Sequence, residues 1–359
     1  MKMGIFSRLA ISSALLSLAA CNGGGDGDGD GSGTDNPFDP VDSAARAAFQ
    51  SEGIPGMGLA VYNRNGVKVF EQMYGTFSSD ARVPIASASK LVSGVTLFKL
   101  MDAGYLTLDS TTGQVLGWTG DQASITLRQL LSFTSGLAPE NHCTYDSTLT
   151  LDECVATISQ TGLIATPGTE FDYGSVHLDV AGRMAEVVTG TPWNQLFAQQ
   201  LRDPLGLPSD IVYYANPLKV TGTDNPLLAG GLIMSMNEYE HVLHFVFDEG
   251  VWQGTPLLAP QIFTTQTIEP YPDAVIGKSP GPNLRYGLTA WLNCSTPQTG
   301  CHQISSPGAF GFTPWIDRDA GYYAILGMLD MNNYKTHFGG HLEQQLAPLI
   351  VQALQQSGN

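Results

Sequence analysis

Ser87 and Lys90 are residues whose types and spacing could carry out chemistry. They stand three positions apart in the segment PIASASKLVSG, just ahead of an apolar run with helical spacing. Residues three apart on a helix share one face, so the lysine amine would lie beside the serine hydroxyl. A desolvated lysine can accept the serine proton, and a helix N-terminus favours the negative charge that then develops. Because serine is also a common helix N-cap, the spacing alone does not distinguish a nucleophile from an ordinary helix start.

The elements that must position this pair are strands at both ends of the folded part and helices in its middle. Residues 56–75 alternate in polarity around Asn65-Gly66, which predicts a β-hairpin, and strands are predicted again in YGLTAWL, GAFGFTPWID and GYYAILGML. Helices are predicted at residues 42–52, from Ser87 to about Gly104, and at 126–131, 152–160, 176–188, 192–201, 236–248 and about 342–355.

This order of elements predicts an α+β fold, with an antiparallel sheet flanked by helices and an inserted, mostly helical domain. The folded domain would span residues 41–359, with the sheet part at about 41–104 and 227–359 and the helical part at about 105–226. A cleft between the two parts is the expected place for an active site.

The first forty residues read as a targeting segment followed by a linker. Residues 1–20 carry Lys2 and Arg8 ahead of an apolar run, which is typical of a signal peptide. The run ends in Leu-Ala-Ala-Cys21, which resembles a bacterial lipobox, so Cys21 is the predicted site of lipid attachment. Residues 21–40 are rich in Gly and Asp and predict a flexible tether. We therefore expect a lipoprotein of the cell envelope, periplasm-facing or at the cell surface; the alternatives are an ordinary signal peptide with a chance cysteine, or a buried helix.

Charge and cysteine content restrict the partners. The formal net charge is -17 and no Lys/Arg-rich run occurs, which argues against a nucleic-acid partner. Four cysteines remain after Cys21, and an even set in an exported chain predicts two disulfides. The near neighbours pair most simply, Cys143 with Cys154 and Cys294 with Cys301, although sequence alone does not fix the connectivity. Zinc spacing is absent, and Pro37 stands where a calcium loop beginning at Asp26 needs glutamate, so no metal or cofactor is expected.

Four further segments follow the serine and lysine along the chain: ITLRQLLSFTSGL, PGTEFDYGSVHLDVAG, LLAGGLIMSMNEY and SSPGAFGFTPWID. With PIASASKLVSG, they resemble, in order, the motifs of the serine β-lactamase and penicillin-binding-protein-like superfamily. The resemblance covers residues 42–359 and is nearest to class C β-lactamases, D-amino-acid-type peptidases and family VIII carboxylesterases. It implies the β-lactamase-like fold and acyl transfer through a serine, on a small-molecule ester or amide and without a cofactor.

The resemblance also implies roles for individual residues. Ser87 would be the acylated nucleophile, Lys90 would help to deprotonate it, and Tyr173 would act as partner base and then as acid. A phenol suits this work only if neighbouring cations hold its pKa down. The backbone N–H groups of Ser87 and Ala309 would form the oxyanion hole. Gly308 would let a substrate lie close against the strand edge.

Two departures from the family pattern concern the substrate. Ser175 stands where asparagine is usual, which weakens a contact with a β-lactam or peptide amide. Ser306 stands where Lys, Arg or His commonly binds a substrate carboxylate. Both substrate-binding positions therefore favour a neutral ester. A β-lactam or D-amino-acid peptide is the alternative substrate, and a non-catalytic cell-surface binding protein is the alternative of another class. The oligomeric state is not predicted.

Competing patterns are weaker. Residues 277–281 match G-x-S-x-G around Ser279, with Asp317 and His337 following, but prolines discourage the helix that such an elbow needs. We interpret this segment as a loop. His241 and His244 stand three apart on a predicted helix without a carboxylate to complete a metal site.

Overall fold

A computed structural model describes residues 36–279, 285–295, 298–331 and 336–358. The helices are α1 (Asp39–Glu52), α2 (Ser89–Asp102), α3 (Thr112–Leu116), α4 (Leu127–Leu131), α5 (Leu151–Ser159), α6 (Val176–Thr189), α7 (Trp193–Phe197), α8 (Met236–Phe247), α9 (Gln261–Gln266) and α10 (Thr336–Ser357). The strands are β1 (Gly56–Asn63), β2 (Lys68–Gly75), β3 (Val83–Pro84), β4 (Glu170–Phe171), β5 (Ile233–Met234), β6 (Val251–Trp252), β7 (Thr255–Pro256), β8 (Val275–Ile276), β9 (Arg285–Tyr286), β10 (Trp291–Leu292), β11 (Gln303–Ser305), β12 (Thr313–Asp317) and β13 (Tyr322–Met328).

Seven of these strands form an antiparallel sheet in the order β2-β1-β13-β12-β11-β10-β9. The predicted hairpin joins β1 to β2, and Gly66 occupies the left-handed region at φ 72°. The side chain of Asn63 completes the turn by accepting hydrogen bonds from the N–H groups of Asn65 and Val67 at 3.1 and 3.0 Å. β1 also pairs with β13 along its length, from Met57 opposite Met328 to Asn63 opposite Tyr322.

Helices cover both faces of this sheet. Along β1, Leu59 and Val61 belong to one core cluster with α1 and α10, whereas Ala60 and Tyr62 belong to a second cluster with α2 and α8. The alternation is the two-residue period of a strand whose two faces are both buried. The second cluster continues into the helical part, where α6 packs against α2, α3, α4, α5 and α7.

Local sequence signals explain where several helices begin. Four helices start with a capping box, in which a hydroxyl and a Glu or Gln side chain three residues later exchange hydrogen bonds with the backbone. The pairs are Thr111 with Gln114, Thr126 with Gln129, Thr150 with Glu153, and Ser235 with Glu238. These capping boxes define the N-termini of α3, α4, α5 and α8.

The predicted disulfides are both present. Cys143 pairs with Cys154, which joins the 3-10 turn His142–Tyr145 to α5. Cys294 pairs with Cys301 in the connection between β10 and β11. The fold-class prediction is confirmed as well, since an antiparallel sheet with flanking helices and a helical middle is what the structure contains. Residues 37–359 form one compact unit, so the division at residues 104 and 226 stays a prediction.

Several predicted elements differ in extent; in GAFGFTPWID, for example, only Thr313–Asp317 is a strand. YGLTAWL was predicted as one strand, but β9 and β10 form a hairpin, in which Thr289 reaches φ 61° and the Gly287 N–H donates to Ala290 O at 2.9 Å. The helix predicted at 192–201 is α7 followed by the π-helical turn Ala198–Arg202.

The predicted signal segment, the lipobox with Cys21 and most of the linker lie outside the described residues. Among the described helices, none combines the length and the apolar character that a membrane span requires.

Candidate active site

Ser87 lies in a tight turn that joins β3 to α2. The 3-10 turn Ala86–Ala88 follows Ile85 and leads directly into α2 at Ser89, so Ser87 precedes the helix by two residues. Ala86 adopts φ 47°, a left-handed conformation that disfavours a residue with a Cβ. Strain of this kind costs about 1–3 kcal/mol and persists only where the surroundings enforce it.

Lys90, in the first turn of α2, directs its amine at that serine. Nζ lies 2.9 Å from Ser87 Oγ and donates a hydrogen bond to Ala229 O at 2.9 Å. The residue is only 3% exposed, because α2 is buried along most of its length and packs against α6. Burial lowers the pKa of Lys90 to about 7, against the opposing influence of Glu140 and Asp179. Near neutral pH a large share of this amine is uncharged and able to accept a proton.

Tyr173 completes the group. Its ring centroid lies 4.6 Å from Lys90 Nζ, and the side chains of Ser87 and Trp291 lie near enough for hydrogen bonding to lower the pKa of its phenol. Trp291 and Phe133 pack on the ring, with centroids at 4.9 and 5.3 Å. Burial raises the pKa of Tyr173, and these hydrogen bonds only partly oppose the rise. A phenol base needs a pKa that neighbouring cations hold down, and this condition is not met, because burial is the dominant influence on Tyr173 and Lys90 is itself desolvated.

The segment after β11 packs against the serine turn. Ser306 donates its hydroxyl hydrogen to Ser87 O at 3.0 Å. A Cβ on Gly308 would collide with Ile85 O, so Gly308 is required by the packing of that turn. Ser306 and Gly308 were predicted to face the substrate, but their contacts are with the turn that carries Ser87. Ala309 does line the same cavity as Ser87, as an oxyanion-hole position requires.

A cavity of about 380 Å³ opens over these residues. Its lining includes apolar residues, namely Ala215, Pro217, Leu218, Leu227 and Phe310. It also includes the polar side chains of Glu140, Tyr145 and Ser175. Ser175, a predicted substrate contact, has its Oγ 3.1 Å from the hydroxyl of Tyr145. Among the described residues that line the cavity, the acidic residue is Glu140 and the basic residue is Lys90.

Two functional candidates near this cavity, Glu140 and Lys278, were not predicted from the sequence. Lys278 Nζ lies 3.1 Å from Glu140 Oε1, and Tyr145 donates to Glu140 Oε2 at 3.0 Å. Glu140 and Lys278 are 138 residues apart, and nothing in the local sequence of either residue indicates that they meet. Lys278 is adjacent to Ser279, to which the G-x-S-x-G pattern drew attention.

The buried carboxyl of Asp179 supports Lys90 indirectly, through the backbone of residues 228 and 229. Asp179 on α6 accepts the Leu228 N–H at 3.1 Å, and the next residue presents Ala229 O to Lys90. The Oδ2 atom of Asp179 has no hydrogen-bond partner among the described residues. Burial raises the pKa of Asp179 well above its usual range. Through the Leu228 N–H, this carboxyl supports the turn at residues 227–229.

The competing patterns are not assembled into sites by the described residues. Ser279 follows β8, residues 280–284 are not described, and the next described element is the strand β9 instead of a helix. Asp317 at the end of β12 accepts a hydrogen bond from Gln303 at 2.9 Å, and the side chain of His337 is not described. His241 lies 2.8 Å from Leu205 O, while His244 stacks on Tyr323.

Residues 41–334 match the family model described as Beta-lactamase. Among curated relatives, Penicillin-binding protein 4 of Amycolatopsis lactamdurans is 31% identical over 180 residues, which are 46% of this chain and 44% of that protein. Protein flp of Staphylococcus aureus (strain COL) is 25% identical over 189 residues, 48% of this chain and 38% of its own length. The matched part thus spans less than half the length of these relatives.

Solved structures are similar over most of both chains. A protein from Bacteroides dorei DSM 17855, described as a candidate β-lactamase, superposes with a TM-score of 0.75 at 29% identity, covering 88% of this chain and 98% of that one. EstCE1, described as a hydrolase with promiscuous acyltransferase activity, gives a TM-score of 0.72 at 17% identity, again over 88% and 98%. The second similarity is one of fold alone.

Proposed function

Because the chain belongs to the β-lactamase family, we propose that it is an exported serine hydrolase that cleaves neutral carboxylic esters through a covalent acyl-Ser87 intermediate. The observation that carries the proposal is the 2.9 Å contact between Lys90 Nζ and Ser87 Oγ inside a cavity of about 380 Å³. A serine hydroxyl needs a neighbouring base to become a nucleophile, and a buried lysine amine with a pKa of about 7 is such a base.

The chemistry runs in two acyl transfers. The neutral amine of Lys90 takes the proton of Ser87, and Oγ attacks the ester carbonyl carbon. The N–H groups of Ser87 and Ala309 stabilise the negative oxygen of the tetrahedral intermediate. The C–O bond to the alcohol then breaks, and the alkoxide receives the proton from Lys90 with Tyr173 as the hydrogen-bonding intermediary. Water, deprotonated by the same amine, attacks the acyl-serine and releases the carboxylic acid and the free Ser87 hydroxyl.

Support for an ester comes from the polar groups around the serine. Ser306 and Ser175 are neutral residues, so neither can bind a substrate carboxylate through a charge. Their hydroxyl groups are also engaged, Ser306 with Ser87 O and Ser175 with Tyr145. The apolar residues that line the cavity suit the hydrocarbon part of an acyl group or alcohol. The alternative of a β-lactam or D-amino-acid peptide is favoured by the relatives, one described as a penicillin-binding protein and another as a candidate β-lactamase.

The proposed export and lipid anchor rest on residues 1–21 and on the two disulfides, which are typical of oxidising compartments. The Cys21→Ser variant of the full chain should leave the membrane fraction for the soluble fraction. Membrane association that survives this substitution contradicts lipidation at Cys21.

The enzyme proposal is tested with a fluorophosphonate probe, p-nitrophenyl butyrate and nitrocefin. We expect the probe to label the wild-type chain and the Ser279→Ala control, but not Ser87→Ala. Faster turnover of the butyrate than of nitrocefin supports the ester assignment, and the reverse order supports a β-lactamase. A wild-type chain that is folded, unlabelled and inactive on both substrates is a non-catalytic binding protein.

A further inference from the structure

Lys278 and Glu140 form a partly exposed ion pair beside the cavity that contains Tyr173. The Lys278 N–H donates to Asp172 Oδ1 at 2.8 Å, and the Tyr173 N–H donates to Lys278 O at 2.7 Å. These bonds fix the backbone of Lys278 beside the tyrosine of the site. Its side chain, 52% exposed, extends to Glu140.

Glu140 is held by both of its oxygens. Oε1 accepts from Lys278 at 3.1 Å and Oε2 accepts from Tyr145 at 3.0 Å. Tyr145 in turn touches Ser175 inside the cavity at 3.1 Å. The carboxylate is thereby fixed on the cavity wall, and the ammonium of Lys278, which does not line the cavity, has a fixed counter-ion.

The consequence is electrostatic. A substrate that brings a carboxylate into the cavity meets the carboxylate of Glu140, while the ammonium of Lys278 is already paired with that carboxylate. Like charges a few ångströms apart repel at a partly exposed site, and this repulsion corresponds to roughly a tenfold loss in kcat/KM or more. A neutral ester meets no such opposition.

We propose that Glu140 is a specificity-determining residue, which excludes carboxylate-bearing acyl donors and keeps Lys278 from binding them. The inference rests on the proposed hydrolase function and adds to it the charge of the substrate. Lys278 acts in the opposite direction, since it partly neutralises Glu140.

Two aryl acetates test this inference, one with a charged and one with a neutral para substituent, and comparing their ratio between variants cancels their intrinsic difference in reactivity. 4-Acetoxybenzoate is an anion at pH 7.5, and its methyl ester is neutral, yet both transfer the same acetyl group. The quantity measured is the ratio of kcat/KM for the neutral ester to kcat/KM for the anion. We expect Glu140→Gln to lower this ratio roughly tenfold and Lys278→Gln to raise it several-fold. The double variant should fall between the two.

Salt provides a second measurement that needs no variant. Raising the ionic strength from about 20 to about 500 mM should lower the wild-type ratio, because it screens repulsion between partly exposed charges. A ratio that is unchanged by salt and by both substitutions overturns the role of Glu140 and leaves the hydrolase function intact. If the wild-type chain turns over neither ester and is also not labelled by the fluorophosphonate probe, the hydrolase function fails and this inference falls with it.

Discussion

The amine of Lys90 contacts the hydroxyl of Ser87 at 2.9 Å in a residue that is 3% exposed. Proximity makes proton transfer possible, and burial makes it effective near neutral pH, because water no longer stabilises the ammonium form. Tyr173 is partly buried, and desolvation has the opposite effect on it, since it keeps the phenol protonated. The two side chains therefore differ in what they can do at pH 7.

The first prediction concerns the pH dependence of ester hydrolysis. We expect kcat/KM for p-nitrophenyl butyrate to rise with pH through about 7, as the Lys90 ammonium loses its proton. Lys90→Met should abolish this rise and lower kcat/KM about 10²- to 10⁴-fold. Lys90→Arg should be equally inactive, since a guanidinium stays charged. A wild-type rate that is constant from about pH 5 to pH 9 contradicts this assignment.

The second prediction is that Lys90→Met stabilises the folded chain. Below pH 7 the buried amine is charged in the folded and the unfolded chain, so the full cost of its burial is present. Between the folded pKa of about 7 and the ordinary value of 10.5, only the unfolded chain keeps the proton, and the cost disappears as pH rises. Lys90→Met should therefore raise the free energy of unfolding by a few kcal/mol at about pH 6 and by much less near pH 10. Lys219→Met, at an exposed lysine, should change little at either pH in urea denaturation; an equal effect of the two substitutions contradicts the prediction.

The third prediction separates Tyr173 from the lysine. Tyr173→Phe removes the hydroxyl that bonds Ser87 but keeps the ring against Trp291, so we expect kcat to fall roughly 10²-fold. The rise of activity near pH 7 should persist in this variant, because Lys90 carries it. Loss of that rise would assign the titration to the phenol. Tyr286→Phe makes the same change on a neighbouring ring, 5.8 Å away between centroids, and should keep most of the activity.

The fourth prediction concerns Asp179 as a positioning residue. Asp179→Asn keeps an oxygen for the Leu228 N–H, whereas Asp179→Leu leaves that donor buried and unpaired. We expect the asparagine variant to keep kcat within a few-fold and the leucine variant to lose roughly 10- to 100-fold, because Ala229 O no longer holds Lys90 in place. Kinetics at several pH values check this. Equal loss in both variants would show that the charge of Asp179, and not its acceptor, is needed.

The fifth prediction concerns stability at high pH. Glu343 on α10 accepts a hydrogen bond from Asn293 at 2.6 Å, and burial raises its pKa from 4.5 to about 8. The folded chain thus holds a proton that the unfolded chain loses, so the stability it contributes is present below the ordinary pKa and is lost as pH rises toward 8. Each pH unit in this range should remove up to about 1.4 kcal/mol relative to Glu343→Gln. Urea denaturation at pH 5, 7 and 9 measures the difference, with the exposed Glu52→Gln as control. Parallel pH profiles of wild type and Glu343→Gln contradict a buried, protonated carboxyl.

Most of the fold could be predicted because its signals are local. Asn65-Gly66 and the alternation around it define the hairpin, and the capping pairs define helix starts. The β9–β10 hairpin could not be predicted, since its turn lacks the Asn-Gly signal and forces Thr289 to φ 61°. Only tertiary packing stabilises such a conformation.

The site could be predicted in part. Ser87, Lys90 and Tyr173 are brought together, and the order of motifs was enough to select them from other serines, lysines and tyrosines. The pKa of Tyr173 could not be judged from sequence, because it depends on the aromatic rings that bury it. Glu140 and Lys278 were missed for a similar reason, as their meeting depends on the folded arrangement of two loops.

The pairing of β1 with β13 has a consequence for the synthesis of the protein. These neighbours in the sheet lie more than two hundred and fifty residues apart in sequence, from Met57 opposite Met328 onward. A chain still emerging from the ribosome, or still crossing a membrane, lacks the strand that β1 requires. The turn that carries Ser87 also requires Ser306, because the Ser306 hydroxyl donates a hydrogen bond to Ser87 O. Ser87 should therefore become reactive only after the last strands have been synthesised. Covalent labelling of Ser87 can then report when folding is complete.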